Sequence, residues 1–255
     1  MTQSLIWAAL GTGFAFLMTV SGAATVFLFR KKVNEGFQKI FLGFASGIMI
    51  AASVWSLIIP AIEQAKLAGG LPWIPAAAGF LAGGLFLMAV DSLFDRYRRS
   101  KNPSGLLVFA VTLHNIPEGM AVGLAFALAA QNMNSPELYA AAFSLALGIG
   151  VQNFPEGAAV SLPLRQEGVS AFRSFGAGVF SAAVEPAAGM AVVLVSEWIR
   201  PAMPWLLSFA AGAMIYVVVE ELIPEANDGG ASRKGTIGSM AGFLLMMILD
   251  VALSL

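Results

Sequence analysis

The sequence predicts an all-α membrane protein of eight transmembrane helices, on three observations. Hydrophobic residues make up 58% of the chain and charged residues only 11%, with a mean hydropathy of +0.80. An ordinary soluble domain carries roughly 25% charged residues, so polar side chains are too few here to coat a water-facing surface. Apolar runs of about 20 residues, the length that crosses a bilayer, recur at residues 5–29, 37–62, 73–94, 105–130, 138–164, 172–199, 203–221 and 236–255. The connections are short and hold helix breakers: Asn102-Pro103, Ser135-Pro136, Arg200-Pro201 and Asp228-Gly229-Gly230. No segment is left for a separate soluble domain, so residues 1–255 read as a single transmembrane unit.

Taken in order, the spans are separated by alternating charge. The first span lacks the basic leader of a signal peptide, is long enough to cross, and reads as the first helix of the mature protein. Arg30, Lys31, Lys32 and Lys39 follow it, and Lys66 alone follows the second. The third is followed by Arg96, Arg98, Arg99 and Lys101, and the fourth by no basic residue. Arg165 and Arg173 separate the fifth from the sixth, Arg200 the sixth from the seventh, and Arg233 and Lys234 the seventh from the eighth. Odd-numbered connections thus hold twelve of the fourteen basic residues, and by the positive-inside rule they face the cytoplasm. Both termini are then extracytoplasmic. The run Arg96-Tyr97-Arg98-Arg99 is a topology signal that also suits anionic lipid.

Other features exclude function classes or are structural. No cysteine is present, which removes disulfides, thiolate metal sites and thiol redox chemistry. A net charge of -1 gives no basic surface for nucleic acid. Glycines spaced by four, Gly43 and Gly47, Gly79 and Gly83, Gly119 and Gly123, Gly238 and Gly242, are packing seams that let helix backbones approach in lipid. The 12 methionines fill gaps in the apolar runs. Glu63 and Asp250 read as solvated helix ends.

The chemistry lies in a repeated block. The fourth span contains His114-Asn115-Ile116-Pro117-Glu118-Gly119 and the fifth contains Gln152-Asn153-Phe154-Pro155-Glu156-Gly157. Consecutive spans run antiparallel, so the copies meet head to tail about a pseudo-two-fold axis in the membrane plane, the arrangement from which transporters build mid-membrane sites. Pro117 and Pro155 withhold a hydrogen bond from the carbonyls of Leu113 and Val151, which costs energy in hydrocarbon unless protein, water or an ion faces them. Around each proline, His114, Asn115 and Glu118, or Gln152, Asn153 and Glu156, fall three and four residues apart on one face. Two carboxylates, one imidazole and three amides form a mixed nitrogen and oxygen set suited to zinc and other first-row divalent ions. A mid-membrane carboxylate costs roughly 3 kcal/mol on an insertion scale, and no Lys or Arg lies between Lys101 and Arg165 to neutralise these. Protons or a dication must balance them. Glu185, followed by Pro186 in the sixth span, adds a third acid. Asp91, Glu220 and Glu221 near the inner ends of the third and seventh spans continue the acids toward the cytoplasm.

Two alternatives come from other classes. Glu118 and Glu156 alone would also suit a proton or monovalent-cation transporter, although His114 is a poor ligand for sodium. A membrane-embedded metallohydrolase is disfavoured: HExxH is absent, and no serine or cysteine nucleophile adjoins the His114 block. No GxxxxGK[ST] phosphate loop is present, so no ATP hydrolysis is expected.

The two hexapeptides closely resemble the paired signature of ZIP (ZRT/IRT-like) divalent metal transporters. The GufA-like bacterial branch is nearest, because Gln152 stands where many relatives carry histidine. The resemblance spans the whole chain. It implies a 3+2+3 bundle with inverted pseudo-symmetry, a likeness to homodimers, and an elevator-like alternation of two helix groups. It implies import of Zn2+, with Fe2+, Mn2+ or Cd2+ as further substrates, across a bacterial inner membrane by a secondary or facilitative transporter that is not an enzyme. It also implies a binuclear centre: His114, Glu118, Gln152 and Glu156 at one position, and Asn115, Asn153 and Glu185 at the other, with Glu118 and Glu156 bridging. Glu220 and Glu221 would then lie on the release path. Asn153 stands where some relatives carry Asp, the seventh span lacks their histidine, and the loops lack their histidine clusters.

Overall fold

Eight long helices, joined by short turns, account for nearly all the residues that the computed structural model describes, namely 2–28, 35–98, 103–132, 135–196, 198–228 and 233–253. No strand occurs among them. Arg30, Lys31, Lys32, Arg99 and Lys101 of the topology signal lie outside the described residues, as do positions 29, 254 and 255 at the ends of the expected first and eighth spans. Helix α1 covers Thr2–Ala24 and closes in a 3-10 turn over Thr25–Phe27. Helix α2 runs through Glu35–Ala52, a π-turn at Ser53–Ile58, and Ile59–Leu67. Next come α3 (Trp73–Arg98), α4 (Pro103–Gln131), α5 (Pro136–Gln166) and α6 (Ala171–Val195). Helix α7 joins Met203–Val217, a second π-turn at Val218–Leu222, and Ile223–Asn227; α8 is Lys234–Leu253.

The sequence-based boundaries need correction at the prolines. Pro60 and Pro224 do not stop their helices, because a π-turn precedes each and absorbs the missing N–H and the bulk of the ring. The second and seventh helices therefore extend to Leu67 and Asn227, past the expected ends at 62 and 221. The sixth ends early, at Val195, before the Arg200–Ala202 turn. Left-handed Gly69 (φ 77°) and Gly168 (φ 93°) turn the chain after α2 and α5, a conformation other residues adopt only at a cost. Ser170 then caps α6 by accepting a hydrogen bond from the N–H of Arg173.

Among the described residues, six helices are long and apolar enough to cross a membrane: Ser4–Phe27, Gln38–Leu67, Trp73–Leu93, Ala171–Val195, Arg200–Asn227 and Lys234–Ala252. Helices α4 and α5, which carry the two polar blocks, are not among the six. Large apolar side chains stand outward, among them Leu17, Leu81, Phe180, Trp198 and Leu244. Water would not tolerate so extended an apolar exterior. The chain is a helical membrane protein.

The helices pack in two groups. Helix α1 lies along α5 and α6, and α4 along α6; separately, α2 lies along α8 and α3 along α7. Among the described residues, the tightest glycine-to-backbone seams join helices within a group. An added Cβ would meet Thr19 O at 2.0 Å from Gly157, Glu185 O at 2.1 Å from Gly119, Gly235 O at 2.1 Å from Gly43 and Phe209 O at 2.0 Å from Gly83. Side chains fill the space between the groups: Ile48, Met49 and Leu57 from α2, Leu145 and Ile149 from α5, Phe126 from α4, Met214 from α7 and Met246 from α8, all fully buried. Of the six apolar spans, α2 is the most enclosed, with 67% of its apolar stretch buried, whereas α3 is peripheral at 17%. The centre of the bundle is thus where α2, α4, α5 and α7 meet.

Candidate metal centre

The repeated blocks sit in the middle of α4 and α5, inside that centre. Asn115, Glu118, Gln152, Asn153 and Glu185 are buried, while His114 and Glu156 are partly open to a cavity. The cavity holds about 800 Å³; His114, Glu118, Gln152, Glu156 and Glu221 line it, along with apolar walls from Leu42, Met49 and Leu162. It extends to Gly36, Glu225 and Lys234 at the ends of α2, α7 and α8. The amide of Gln152 donates from Nε2 to Glu118 Oε1 at 2.6 Å. His114 Nε2 lies 3.1 Å from Glu221 Oε1.

Behind this wall the remaining residues form a second cluster, closed off from the cavity. Asn153 Nδ2 donates to Glu185 Oε2 at 2.9 Å, and Asn115 Nδ2 donates to the main-chain oxygen of Ser181 at 2.8 Å. All three amides spend their N–H groups on protein acceptors, which leaves their oxygens free. Asn115 Oδ1, Gln152 Oε1, Asn153 Oδ1, Glu118 Oε2, Glu156 Oε1 and Glu185 Oε1 are all buried without a hydrogen-bond partner. Each such atom costs about 1–3 kcal/mol, and the set together is comparable to the whole net stability of a typical domain, about 5–15 kcal/mol. A neutral donor could pair with these oxygens, but only a cation or added protons would also offset the carboxylate charge. Among the described residues no three His, Asp or Glu side chains already surround one point at metal-binding distances. Amide oxygens would have to complete any coordination shell.

The structure separates the residues expected on the release path. Glu221 reaches His114, but Glu220, its neighbour, is exposed and does not line the cavity. Asp91 is half-buried and accepts a hydrogen bond from Tyr216 OH at 3.1 Å, between α3 and α7.

Gly157 was missed in the sequence. It is where α5 docks on Thr19 of α1, just as Gly119, expected as part of a packing seam, is where α4 docks on Glu185 of α6. Their position at the end of both blocks was the available signal. Asp250 is not a solvated helix end: it is 5% exposed and accepts from Ser56 Oγ at 3.1 and 3.0 Å. The π-turn in α2 carries Ser56 round to face α8, which sequence spacing alone does not reveal. Glu63 is exposed, as a solvated end should be. Asp250 lines a second cavity, of about 550 Å³, with Trp55, Ile59, Glu63, Asn132 and Glu137. There the Ser135 hydroxyl, 2.8 Å from Glu137, holds that carboxyl below the usual carboxylate range.

The chain is similar to known zinc transporters. A family model described as ZIP Zinc transporter matches residues 97–250, which include both blocks. Zinc transporter GufA of Myxococcus xanthus is 40% identical over 83% of this chain and 85% of its own. Zinc transporter ZIP11 of Homo sapiens is 34% identical over 98% of each chain. Zinc transporter ZIPB of Bordetella bronchiseptica is 36% identical over 97% of this chain and 81% of its own.

Proposed function

The chain belongs to the ZIP family of zinc transporters, and on that footing we propose that it imports Zn2+ into the cytoplasm through the centre between α4 and α5. As a family member it is a multi-pass membrane transporter and not an enzyme. The observation that carries the proposal is the set of six buried, unpaired acceptor oxygens on Asn115, Glu118, Gln152, Asn153, Glu156 and Glu185. Dications satisfy these acceptors and offset the charge of the three carboxylates.

In this reading His114, Glu118, Gln152 and Glu156 hold one ion beside the open cavity. Asn115, Asn153 and Glu185 hold a second behind it, with Glu118 and Glu156 shared. Glu221 takes the ion from His114 toward the cytoplasm, and Glu220 and Asp91 act only by attracting cations to that side. Fe2+, Mn2+ and Cd2+ are further substrates, since imidazole with oxygen donors does not select zinc alone. Metal binding displaces protons from the ligands, so a proton flux accompanies transport.

All eight helices cross the plasma membrane, a bacterial inner membrane, with both termini outside. The 3+2+3 inversion relates α1 to α6, α2 to α7, α3 to α8 and α4 to α5. The helix pairs support it, because α1 on α5 becomes α6 on α4, and α2 on α8 becomes α7 on α3. The confinement of the tightest glycine-to-backbone seams to one group or the other supports an elevator-like movement of one against the other in a homodimer. Zn2+ uptake into proteoliposomes, comparing the native protein with His114→Ala and Glu156→Ala, tests the reading. Uptake by the native protein that is lost in both variants is expected. Native vesicles that carry no divalent ion under any gradient would refute it.

A further inference from the structure

The two π-turns share a sequence. Val54-Trp55-Ser56-Leu57-Ile58-Ile59-Pro60 and Val218-Val219-Glu220-Glu221-Leu222-Ile223-Pro224 both read Val, three variable residues, Ile or Leu, Ile, Pro. In each, the isoleucine before the proline donates its N–H five residues back, Ile59 to Val54 O and Ile223 to Val218 O. The cause is the proline. Its ring would collide with the carbonyl four residues earlier, on Ser56 or Glu220, and it has no N–H to give that carbonyl. One extra residue in the turn removes the collision and keeps the helix continuous.

The turns stand at opposite ends of the pathway. Trp55 of the first lines the cavity of about 550 Å³, which reaches the α4–α5 connection. Glu221 and Leu222 of the second line the cavity of about 800 Å³, which reaches the starts of α2 and α8. Each turn also carries a polar contact to a residue that lines its cavity: buried Ser56 Oγ to both oxygens of Asp250, and Glu221 Oε1 to His114 Nε2. An α-helical turn turns about 100° per residue. Tightening either turn to α geometry would therefore rotate its contact residue off its partner and bring a neighbour, such as exposed Glu220, into its place.

On the import reading above, we infer that Pro60 and Pro224 are paired positioning residues: each holds a π-turn that aims one side chain at a residue lining one cavity, Ser56 at the outer and Glu221 at the inner. Neither proline touches the metal. Pro60 sets how readily an ion is taken up from outside, and Pro224 how readily it leaves the centre toward the cytoplasm.

The test is zinc uptake kinetics in proteoliposomes for the native protein, Pro60→Ala and Pro224→Ala. Pro60→Ala should raise KM about tenfold with little change in maximal rate, the effect of one misplaced hydrogen bond to a carboxylate. Pro224→Ala should lower the maximal rate by a similar factor with little change in KM. A simple loss of folded protein would instead lower the maximal rate of both and leave KM alone. Because the chain has no cysteine, Leu222→Cys gives a single thiol in the inner cavity. Its labelling by a charged maleimide should slow at least about fivefold when Pro224→Ala is added, as rotation withdraws it from the cavity. Equal labelling with and without Pro224→Ala, or parallel kinetic effects of the two proline variants, would overturn the inference. Failure of native protein to carry zinc would sink the import reading instead, and the labelling comparison would still decide whether the proline holds the turn.

Discussion

Gly119→Ala tests how the centre is assembled, since it adds one methyl group at the seam between α4 and α6. The new Cβ would lie 2.1 Å from Glu185 O and 2.9 Å from Glu185 Cα. Both are backbone atoms, so no side chain can swing aside, and the helices must separate by roughly 1 Å to restore ordinary contact. Alanine favours a helix over glycine by about 1 kcal/mol, whereas overpacking a tight seam costs about 1–3 kcal/mol, so the variant is expected to be less stable. The larger effect falls on the site. Glu185 moves with α6, and its 2.9 Å bond from Asn153 Nδ2 stretches beyond hydrogen-bonding range. Loss of a hydrogen bond to a charged group corresponds to about tenfold or more, so initial zinc uptake should fall by at least that factor. Gly13→Ala is the control, because nothing lies within 4 Å of its added Cβ; stability and uptake should match or slightly exceed native. The assay is uptake at matched reconstituted protein, with thermal unfolding in detergent. Native uptake by Gly119→Ala, with a melting temperature equal to that of Gly13→Ala, would refute the claim that this glycine sets the position of Glu185.

Uptake should weaken as the external pH falls from 8 to 5, because protons compete with Zn2+ for the same imidazole and carboxylate lone pairs; a flat profile over that range would contradict ligation by His114, Glu118 and Glu156. Tyr216→Phe removes the donor to Asp91 and should lower stability by about 1 kcal/mol while retaining most zinc uptake. A collapse of uptake at unchanged stability would instead put Asp91 directly in the ion's path. Single cysteines in place of Ser135 and Ser170 should be labelled by an impermeant thiol reagent from opposite sides, Ser135→Cys from outside the cell and Ser170→Cys only after permeabilisation. The reverse pattern would invert the proposed import direction.

By itself the sequence determined the class of fold, because apolarity and helix length are local properties that a bilayer reads directly. It also marked the centre, since His114, Glu118, Gln152 and Glu156 are polar residues in apolar runs and the two proline blocks repeat within adjacent helices. Their meeting at one cavity, and the hydrogen bonds that free the oxygens of Asn115, Gln152 and Asn153, required tertiary structure. So did the fate of Asp250, near the chain end yet buried against Ser56, and the difference between Glu221 and Glu220, adjacent in sequence but turned to different surroundings. The physical reason is the same in each case. Composition reports whether a helix prefers lipid, but which way a side chain faces depends on the register of the turn that carries it. A proline can change that register from α to π only where the packed neighbours leave room for the extra residue.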